Sequence, residues 1–182
     1  MKLTYETDRL LLKILRPTPE NAMAVLDFYN RNQLLFERYE AKRPENFYTA
    51  EYQNAVLSCE YNLTLRLQSL RFWIYEKDQP DIIIGTVCFY NITHSIYDCC
   101  KTGYKFDQNY QGRGYAKEAM QFGIAMMFEQ LHLHRIEAYV MKDNAPSIHL
   151  LMALNFEYEG TCRKVIRICD TWEDHMLFSL LK

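Results

Sequence analysis

The chain has 182 residues, of which 49% are hydrophobic, and it carries 21 Lys and Arg against 23 Asp and Glu, a formal charge of -2. This length and apolar content suffice for one compact domain with a buried core, so neither disulfides nor zinc are needed to hold a fold together. The charge balance excludes an electrostatic case for binding nucleic acid or an anionic membrane, and no apolar run approaches the roughly 20 residues of a membrane span.

Capping residues and apolar spacing predict the elements of the first half of the chain. Residues 9–15 alternate as a strand does, and Thr18 followed by Pro19 marks a helix start, with Thr18 as the cap. Thr49 is a second predicted cap. Helical patterns cover 21–31, 33–41 and 50–70, and strand patterns cover 71–76 and 82–92, joined by a turn-rich link.

The second half alternates strands with helices. In order it predicts a strand at 98–106, a glycine-rich loop, a helix at 115–130, a strand at 135–140, a helix at 145–154 and strands at 156–168 and 171–181. No repeat or linker interrupts this order, so we predict one domain over residues 1–182. The fold class is α/β, with a mixed central sheet and helices on both faces.

The start of the chain lacks a signal-peptide pattern, and we expect a cytoplasmic protein. The six cysteines form no Cys-x-x-Cys pair, which predicts reduced thiols. Cys99 and Cys100 are adjacent in a predicted strand, so their side chains point to opposite faces. His132 and His134 have no evident partner ligands, and no metal site is predicted.

A glycine-rich turn between a predicted strand and a predicted helix has the sequence Gln111-Gly112-Arg113-Gly114-Tyr115-Ala116. Glycines let a ligand approach the backbone, and the first amides of a helix are unpaired donors that suit a phosphate. Gly114 is not followed by the Lys and the Ser or Thr that a mononucleotide loop requires for magnesium, and Lys117 occupies the third small position of the dinucleotide fingerprint. A turn that only joins strand to helix is the alternative.

The remaining pattern, [Gln/Arg]-x-x-Gly-x-[Gly/Ala], is satisfied at Gln111, Gly114 and Ala116. Here the chain resembles the GNAT superfamily of acetyl-CoA-dependent N-acyltransferases, in which this loop binds the diphosphate of coenzyme A. The predicted element order is also that of the GNAT fold, so the resemblance covers nearly the whole chain. It implies acetyl-CoA as the co-substrate.

Further segments resemble the ribosomal-protein N-terminal acetyltransferase branch of that superfamily. They are the opening Thr7–Lys13, Gly85 and the pair Gly103-Tyr104 in central strands, Asp143–Ser147 at a helix start, Asn155-Phe156 after that helix, and Thr171–His175 with Phe178–Leu181 at the end. Asn144 is a predicted helix cap, and Asn155 tolerates the left-handed conformation of a helix terminus.

The resemblance implies roles for individual residues. Backbone amides near Tyr104 and Phe106 would hold the pantetheine and the thioester oxygen, a contribution worth roughly 3 kcal/mol. Ser147 matches the serine of this branch that assists the leaving sulfur, whereas Leu151 stands where many GNAT enzymes carry a tyrosine. Asn144 would contact the pantetheine amides. Asn144 and Ser147 could instead serve only as capping residues.

The general base is left open by the sequence. Lys101 stands where the branch often has Glu, and a lysine is no carboxylate base. Asp174 and His175 in the closing strand are the catalytic candidates, with His94 or a bound water as further alternatives. Without a strong base the enzyme gains most from an amine of low pKa.

The acceptor implied by the branch is a ribosomal-protein N-terminus, and relatives also modify small amines. Aromatic residues between Phe28 and Tyr52 are expected to roof the acceptor cleft or to pack in the core. Because Lys101 and Leu151 depart from the residues that catalytic members carry at these positions, a second hypothesis is a non-catalytic acyl-CoA-binding regulatory module. A third hypothesis is a protein that binds another nucleotide through the same loop. We expect a monomer or a homodimer, with no nucleic-acid or membrane partner.

Overall fold

The computed structural model describes residues 2–182, which form a sheet of eight strands with helices on both faces. The strands are β1 Thr4–Glu6, β2 Leu10–Lys13, β3 Ser69–Glu76, β4 Gly85–Thr93, β5 Cys99–Phe106, β6 Arg135–Met141, β7 Glu157–Ile168 and β8 Thr171–Leu181. Their spatial order is β1-β2-β3-β4-β5-β6-β8-β7, and β5 and β6 form a parallel pair within otherwise antiparallel pairings. The predicted mixed sheet is confirmed.

Three of the α-helices, those after Thr18, Thr49 and Asn144, begin where the sequence predicts a capping residue. The α-helices are α1 Pro19–Arg31, α2 Gln33–Glu37, α3 Ala50–Leu65, α4 Tyr115–Ala125 and α5 Ala145–Ala153. The hydroxyl of Thr18 accepts the amide of Asn21 at 3.3 Å, and the hydroxyl of Thr49 accepts the amide of Tyr52 at 3.2 Å. Both satisfy amides that a helix N-terminus leaves unpaired.

Two apolar clusters lie on opposite faces of the sheet. On one face, helices α1–α3 pack Phe28 and Leu57 against Trp73 of β3. On the other, α4 and α5 pack Met120 and Leu151 against the strands. Because both faces are covered, side chains of one strand alternate between two separate environments.

Helix α4 approaches the sheet closely at Gly123. A Cβ at this position would lie 2.3 Å from the ring of Phe89 on β4, and that ring is fully buried. The glycine therefore sets how near α4 lies to the sheet, and α4 carries the glycine-rich loop at its N-terminus.

Some predicted boundaries were wrong. Helix α3 ends at Leu65 rather than 70, because the chain turns through Leu67 at φ 55° and residues 69–70 already pair with β4. The helix predicted over 115–130 is α-helical to Ala125 and continues as a π-helical turn over Met126–Gln130. Strand β1 was missed since three residues are too few for an alternation pattern.

Asn155 adopts φ 64°, the left-handed conformation predicted for the end of α5. All six cysteines are free thiols. Within residues 2–182, no helix is both long and apolar enough to cross a membrane.

Candidate functional site

The glycine-rich loop leaves its backbone accessible. Gly112 and Gly114 adopt φ 75° and 80°, a region that favours glycine, and a Cβ on Gly112 would meet nothing within 4 Å. Gly114 is the N-terminal cap of α4, and the amide of Glu118 makes the bond to its carbonyl at 3.1 Å. The amides of Tyr115, Ala116 and Lys117 therefore precede the first helical hydrogen bond and can bind an anion.

Side chains of the loop hold the loop itself. The amide of Gln111 donates to the carbonyl of Phe106 at 3.3 Å, and the guanidinium of Arg113 donates to a backbone carbonyl of the preceding turn at 3.1 Å. The hydroxyl of Tyr115 donates to Glu76 on β3. With the side chains engaged in this way, the backbone is what the loop offers to a ligand.

The opening segment of the chain clamps the other side of the loop. Arg9 pairs its Nε with Oε2 of Glu118 at 2.7 Å and donates from Nη1 to the carbonyl of Arg113 at 2.9 Å. The hydroxyl of Thr7 donates to the same carboxylate at 2.6 Å. Burial opposes ionisation of Glu118, but hydrogen bonds from Thr7 and Arg9 outweigh it and lower its pKa. The carboxylate thus stays charged and ties the turn between β1 and β2 to α4.

A buried carboxylate that the sequence reasoning missed fixes the start of the loop. Asp107 is 0% exposed and pairs with the guanidinium of Arg31 at the end of α1. It also accepts the side-chain amide of Asn32 at 3.0 Å and the backbone amide of Asn109 at 2.9 Å. Its position directly after β5 could have indicated it from the sequence, although its partners on and after α1, Arg31 and Asn32, lie about 75 residues away in the chain.

Strands β5 and β6 separate beyond their last paired residues. The parallel ladder ends at Thr102 opposite Ala138, although β5 continues to Phe106 and β6 to Met141. The amide of Asp107 donates to the chain entering β4 at 2.9 Å. Because amides alternate along a strand, those of Tyr104 and Phe106 point away from β4 and into the gap beside β6.

Two hydroxyl groups meet on the α5 face of this gap. The phenol oxygen of Tyr104 lies 2.7 Å from Oγ of Ser147 and also donates to the carbonyl of Ser147 at 3.1 Å. Burial raises the pKa of Tyr104 to about 12, although the hydrogen bond with Ser147 lowers it in part. Tyr104 was predicted for its amide alone, and the contact of its side chain with Ser147 was not predicted.

Asn144 and Leu151, which lie near Ser147 in the sequence, both make structural contacts. Oδ1 of Asn144 accepts a hydrogen bond from the amide of Ser147 at 3.3 Å. This asparagine therefore caps α5, which is one of the two roles predicted for it from the sequence. Leu151 is fully buried in the core. The hydroxyl of Ser147 is thereby held at the N-terminus of α5, beside Tyr104.

A cavity of about 370 Å³ lies on the opposite face of the sheet, against α1 and the segment after α2. Lys105 of β5 and Tyr139 of β6 reach it from strand positions beyond the last paired residues. Its aromatic and imidazole lining consists of Tyr29, Tyr39, Phe47, Tyr52, Tyr139 and His175. Part of the predicted aromatic stretch therefore lines this cavity, while Phe28 and Phe36 belong to the core.

The two candidate bases in β8, Asp174 and His175, lie on opposite faces of the strand. His175 is 3% exposed and lies in the cavity wall, with its Nδ1 3.1 Å from the carbonyl of Glu173. Asp174 alternates to the other face of β8, where its carboxylate accepts the amide of Lys164 at 2.8 Å. It does not line the cavity. The structure therefore brings only one of these two predicted catalytic residues to the cavity.

The other candidates are also accounted for. His94 lies 3.5 Å from Asp98 at an exposed turn between β4 and β5. Lys101 stands opposite Glu137 in the parallel ladder, and its ammonium group lies 4.6 Å from the ring centroid of Tyr139. Within residues 2–182, no group of three or more metal-ligating side chains could hold a metal ion.

The GNAT acetyltransferase domain model matches residues 9–157. The chain therefore belongs to the GNAT acetyltransferase family and is an acetyl-CoA-dependent N-acetyltransferase. The predicted family, fold and enzyme class are confirmed.

Similar proteins include two named for a ribosomal substrate. The chain is 30% identical over 179 residues to the ribosomal protein uS5-alanine N-acetyltransferase of Escherichia coli K12, covering 98% of this chain and 91% of that protein. It is 32% identical over 157 residues to the probable N-acetyltransferase YjcK of Bacillus subtilis, covering 86% of each. The crystal structure of ribosomal-protein-S5-alanine acetyltransferase from Vibrio fischeri superposes with a TM-score of 0.91 at 30% identity, covering 99% of this chain and 97% of that chain.

Proposed function

We propose that the enzyme acetylates the N-terminal α-amine of a protein. The observation that carries this proposal is the separation of β5 from β6, which joins the Tyr104 and Ser147 hydroxyls on one face to the aromatic cavity on the other. An acetyl group held in the gap would meet an amine arriving from the cavity. The uS5-alanine acetyltransferases to which the chain is similar are named for an acceptor of this class.

The loop and the gap divide the binding of acetyl-CoA between them. Backbone amides from Gly112 to Ala116 would bind the diphosphate, and Gln111 and Arg113 would keep the loop in shape. The amides of Tyr104 and Phe106 would bind the pantetheine and polarise the thioester carbonyl. When bound, acetyl-CoA supplies the activated acetyl group, and no metal is required.

The hydroxyl of Ser147 is the proposed proton donor to the leaving sulfur. Tyr104 lies behind it at 2.7 Å, and burial keeps that phenol protonated, so a proton given by Ser147 to the leaving thiolate can be replaced from Tyr104, and the proton released by the acceptor amine restores the pair through solvent. Asn144 holds the serine in place through its capping bond. These roles make Ser147 catalytic and Asn144 a positioning residue.

Deprotonation of the acceptor is the step with the weakest protein assistance. Lys101 stands where the branch often has Glu, and Asp174 faces away from the cavity. Glu40 in the cavity wall is paired with Arg43 and Lys105, which leaves His175 as the candidate base in the wall, alone or through water. A peptide α-amine, with a pKa of roughly 8, is already partly deprotonated at neutral pH, whereas a lysine amine at roughly 10 is not.

We further propose that residues 1–182 form one GNAT domain working in the cytoplasm. One sheet joins β1 to β7 and β8, and six free thiols suit a reducing compartment.

Incubation with acetyl-CoA and a panel of peptides and small amines tests the proposed function. Release of free thiol together with acetyl gain by a peptide is the expected result. Tight binding of acetyl-CoA without turnover would favour the regulatory module instead. Preference for NAD or ATP over coenzyme A would favour a nucleotide-binding protein.

A further inference from the structure

A buried arginine in the cavity wall has donors without acceptors. The side chain of Arg43, in the segment between α2 and α3, is 6% exposed and lies with its Cζ 4.0 Å from the ring centroid of Phe47 and 4.8 Å from that of Tyr29. Nη2 donates to Glu40 at 2.8 Å. Nε and Nη1 are buried and have no hydrogen-bond partner among residues 2–182.

The cavity wall also holds more positive than negative charge at this point. Lys105 of β5 places its Nζ 2.6 Å from Oε1 of Glu40, while Arg43 uses Oε2 of the same carboxylate. One carboxylate therefore serves two cations, and both of its oxygens are engaged. A buried cation with unused N–H groups gains most from a further anionic acceptor.

We propose that Arg43 binds a carboxylate of the acceptor, and that the enzyme therefore prefers amines carrying a carboxylate close to the reacting nitrogen. The inference rests on the proposed function, because it takes this cavity as the acceptor site. A guanidinium group can donate two parallel hydrogen bonds to one carboxylate. The aromatic rings packed around Arg43 restrict the motion of its side chain. Polycationic acceptors such as polyamines are disfavoured by the same charge.

The carboxylate can come from two sources. In a peptide acceptor it belongs to an Asp or Glu next to the N-terminal residue, and in a small acceptor it is the carboxylate of a free amino acid. Both place an anion within a few bonds of the amine. The two sources are separated by comparing matched peptides in one arm of the experiment and alanine with alaninamide in the other.

The test uses peptides that begin with alanine and differ only by Asp or Asn at the second or third position. For the wild-type enzyme we expect kcat/KM to favour the Asp peptide by about tenfold, the effect of one charge-assisted hydrogen bond. Arg43→Met should bring the Asp-to-Asn ratio close to one. A ratio is informative here because a purely structural role of Arg43 would slow both peptides alike.

Arg38→Met is the matched control, since Arg38 is an exposed arginine of the same segment whose nearest acid is Asp143 at 3.7 Å. It should leave the ratio within about twofold of wild type. Thermal melting and acetyl-CoA affinity report whether Arg43→Met is folded. If Arg43→Met fails to fold, the test uses the Asp-to-Asn ratios of the wild type and of Arg43→Lys. Lysine keeps the positive charge but lacks the paired N–H donors of the guanidinium.

Equal kcat/KM for Asp and Asn peptides, together with equal rates for alanine and alaninamide, overturns the inference while leaving acetyl transfer intact. An Asp preference that survives in Arg43→Met overturns the assignment to Arg43. Absence of any acetylated acceptor, with acetyl-CoA bound, overturns the proposed function and this inference with it.

Discussion

Tyr104 and Ser147 share a hydrogen bond between two neutral hydroxyl groups in a site where charge is costly. The phenol is buried, and its pKa is raised to about 12 by that burial. The protonated form is the one present below the pKa, so raising the pKa preserves the donor through the physiological range. The pair is thus suited to give a proton to a sulfur and to be refilled from solvent.

Ser147→Ala should lower kcat by roughly 100-fold while changing the Kd for acetyl-CoA little, because a proton donor acts in the transition state. Tyr104→Phe should lower kcat in the same direction, and the double variant should cost less than the sum of the two. Steady-state kinetics and isothermal titration measure these effects. Ser58→Ala in α3 is the control, and an unchanged kcat in Ser147→Ala would remove the serine from the mechanism.

The expected pH dependence of kcat/KM follows from a proton donor that stays protonated, Tyr104, and from the lack of a strong general base. We expect kcat/KM to rise with pH towards the pKa of each acceptor, without a fall before pH 9, since Tyr104 remains protonated there. Profiles for a peptide α-amine and a lysine analogue should be displaced by roughly 2 pH units. An inflection at one pH shared by both acceptors, and lost in His175→Ala, would show instead that the enzyme has its own base.

At the scale of elements, the loop and α4 act as one unit between two anchors. Thr7 and Arg9 hold Glu118 on one side, and Arg31 holds Asp107 on the other. A rigid anion site pays little ordering entropy when the ligand arrives. The local sequence predicted the loop because its glycines and the helix start are adjacent in the chain.

Gly114→Val should weaken acetyl-CoA binding by roughly tenfold or more, since a Cβ at φ 80° strains the loop and covers amides that would bind phosphate. Isothermal titration measures the affinity. Gly160→Val in β7 is the matched control, because Gly160 also has a positive φ and open space around it. Unchanged affinity in a folded Gly114→Val protein would place the diphosphate elsewhere.

Gly123→Ala tests the contact of α4 with the sheet. The added Cβ would lie 2.3 Å from the buried ring of Phe89, so the helix or the ring must shift. Overpacking costs about 1–3 kcal/mol and exceeds the gain of roughly 1 kcal/mol in helix propensity. Urea denaturation should show a lower free energy of unfolding, restored in part by adding Phe89→Leu. Stability equal to wild type would contradict this packing.

At the scale of the whole molecule, the sheet separates the proposed acetyl-CoA side from the proposed acceptor side. Alternation along β5 sends Tyr104 towards α5 and Lys105 towards the cavity, so neighbouring residues face the two sides proposed for the two substrates. The parallel pairing of β5 with β6 ends early, and the proposed function places the transfer of the acetyl group in the resulting gap. Under the proposed function, this arrangement would bring the two substrates together from opposite faces of the sheet.

Features that depend on adjacent residues were predictable from the sequence, and features that depend on distant ones were not. The caps Thr18 and Thr49, the loop and the order of elements follow from local patterns. The partnership of Arg31 with Asp107 spans 76 residues, and no local pattern indicates it. The unpaired donors of Arg43 result from the packing of aromatic residues around its side chain in the folded protein, and no local sequence pattern indicates them.

The most direct measurement of the central claim is the position of the acetyl group on a peptide with both a free N-terminal amine and an internal lysine. Purified enzyme is incubated with acetyl-CoA and this peptide, and the product is sequenced by tandem mass spectrometry while free thiol is titrated. We predict one acetyl group on the α-amine and one equivalent of released coenzyme A. Acetylation of the lysine alone, or binding of acetyl-CoA with no acetyl transfer to either amine, would contradict the account.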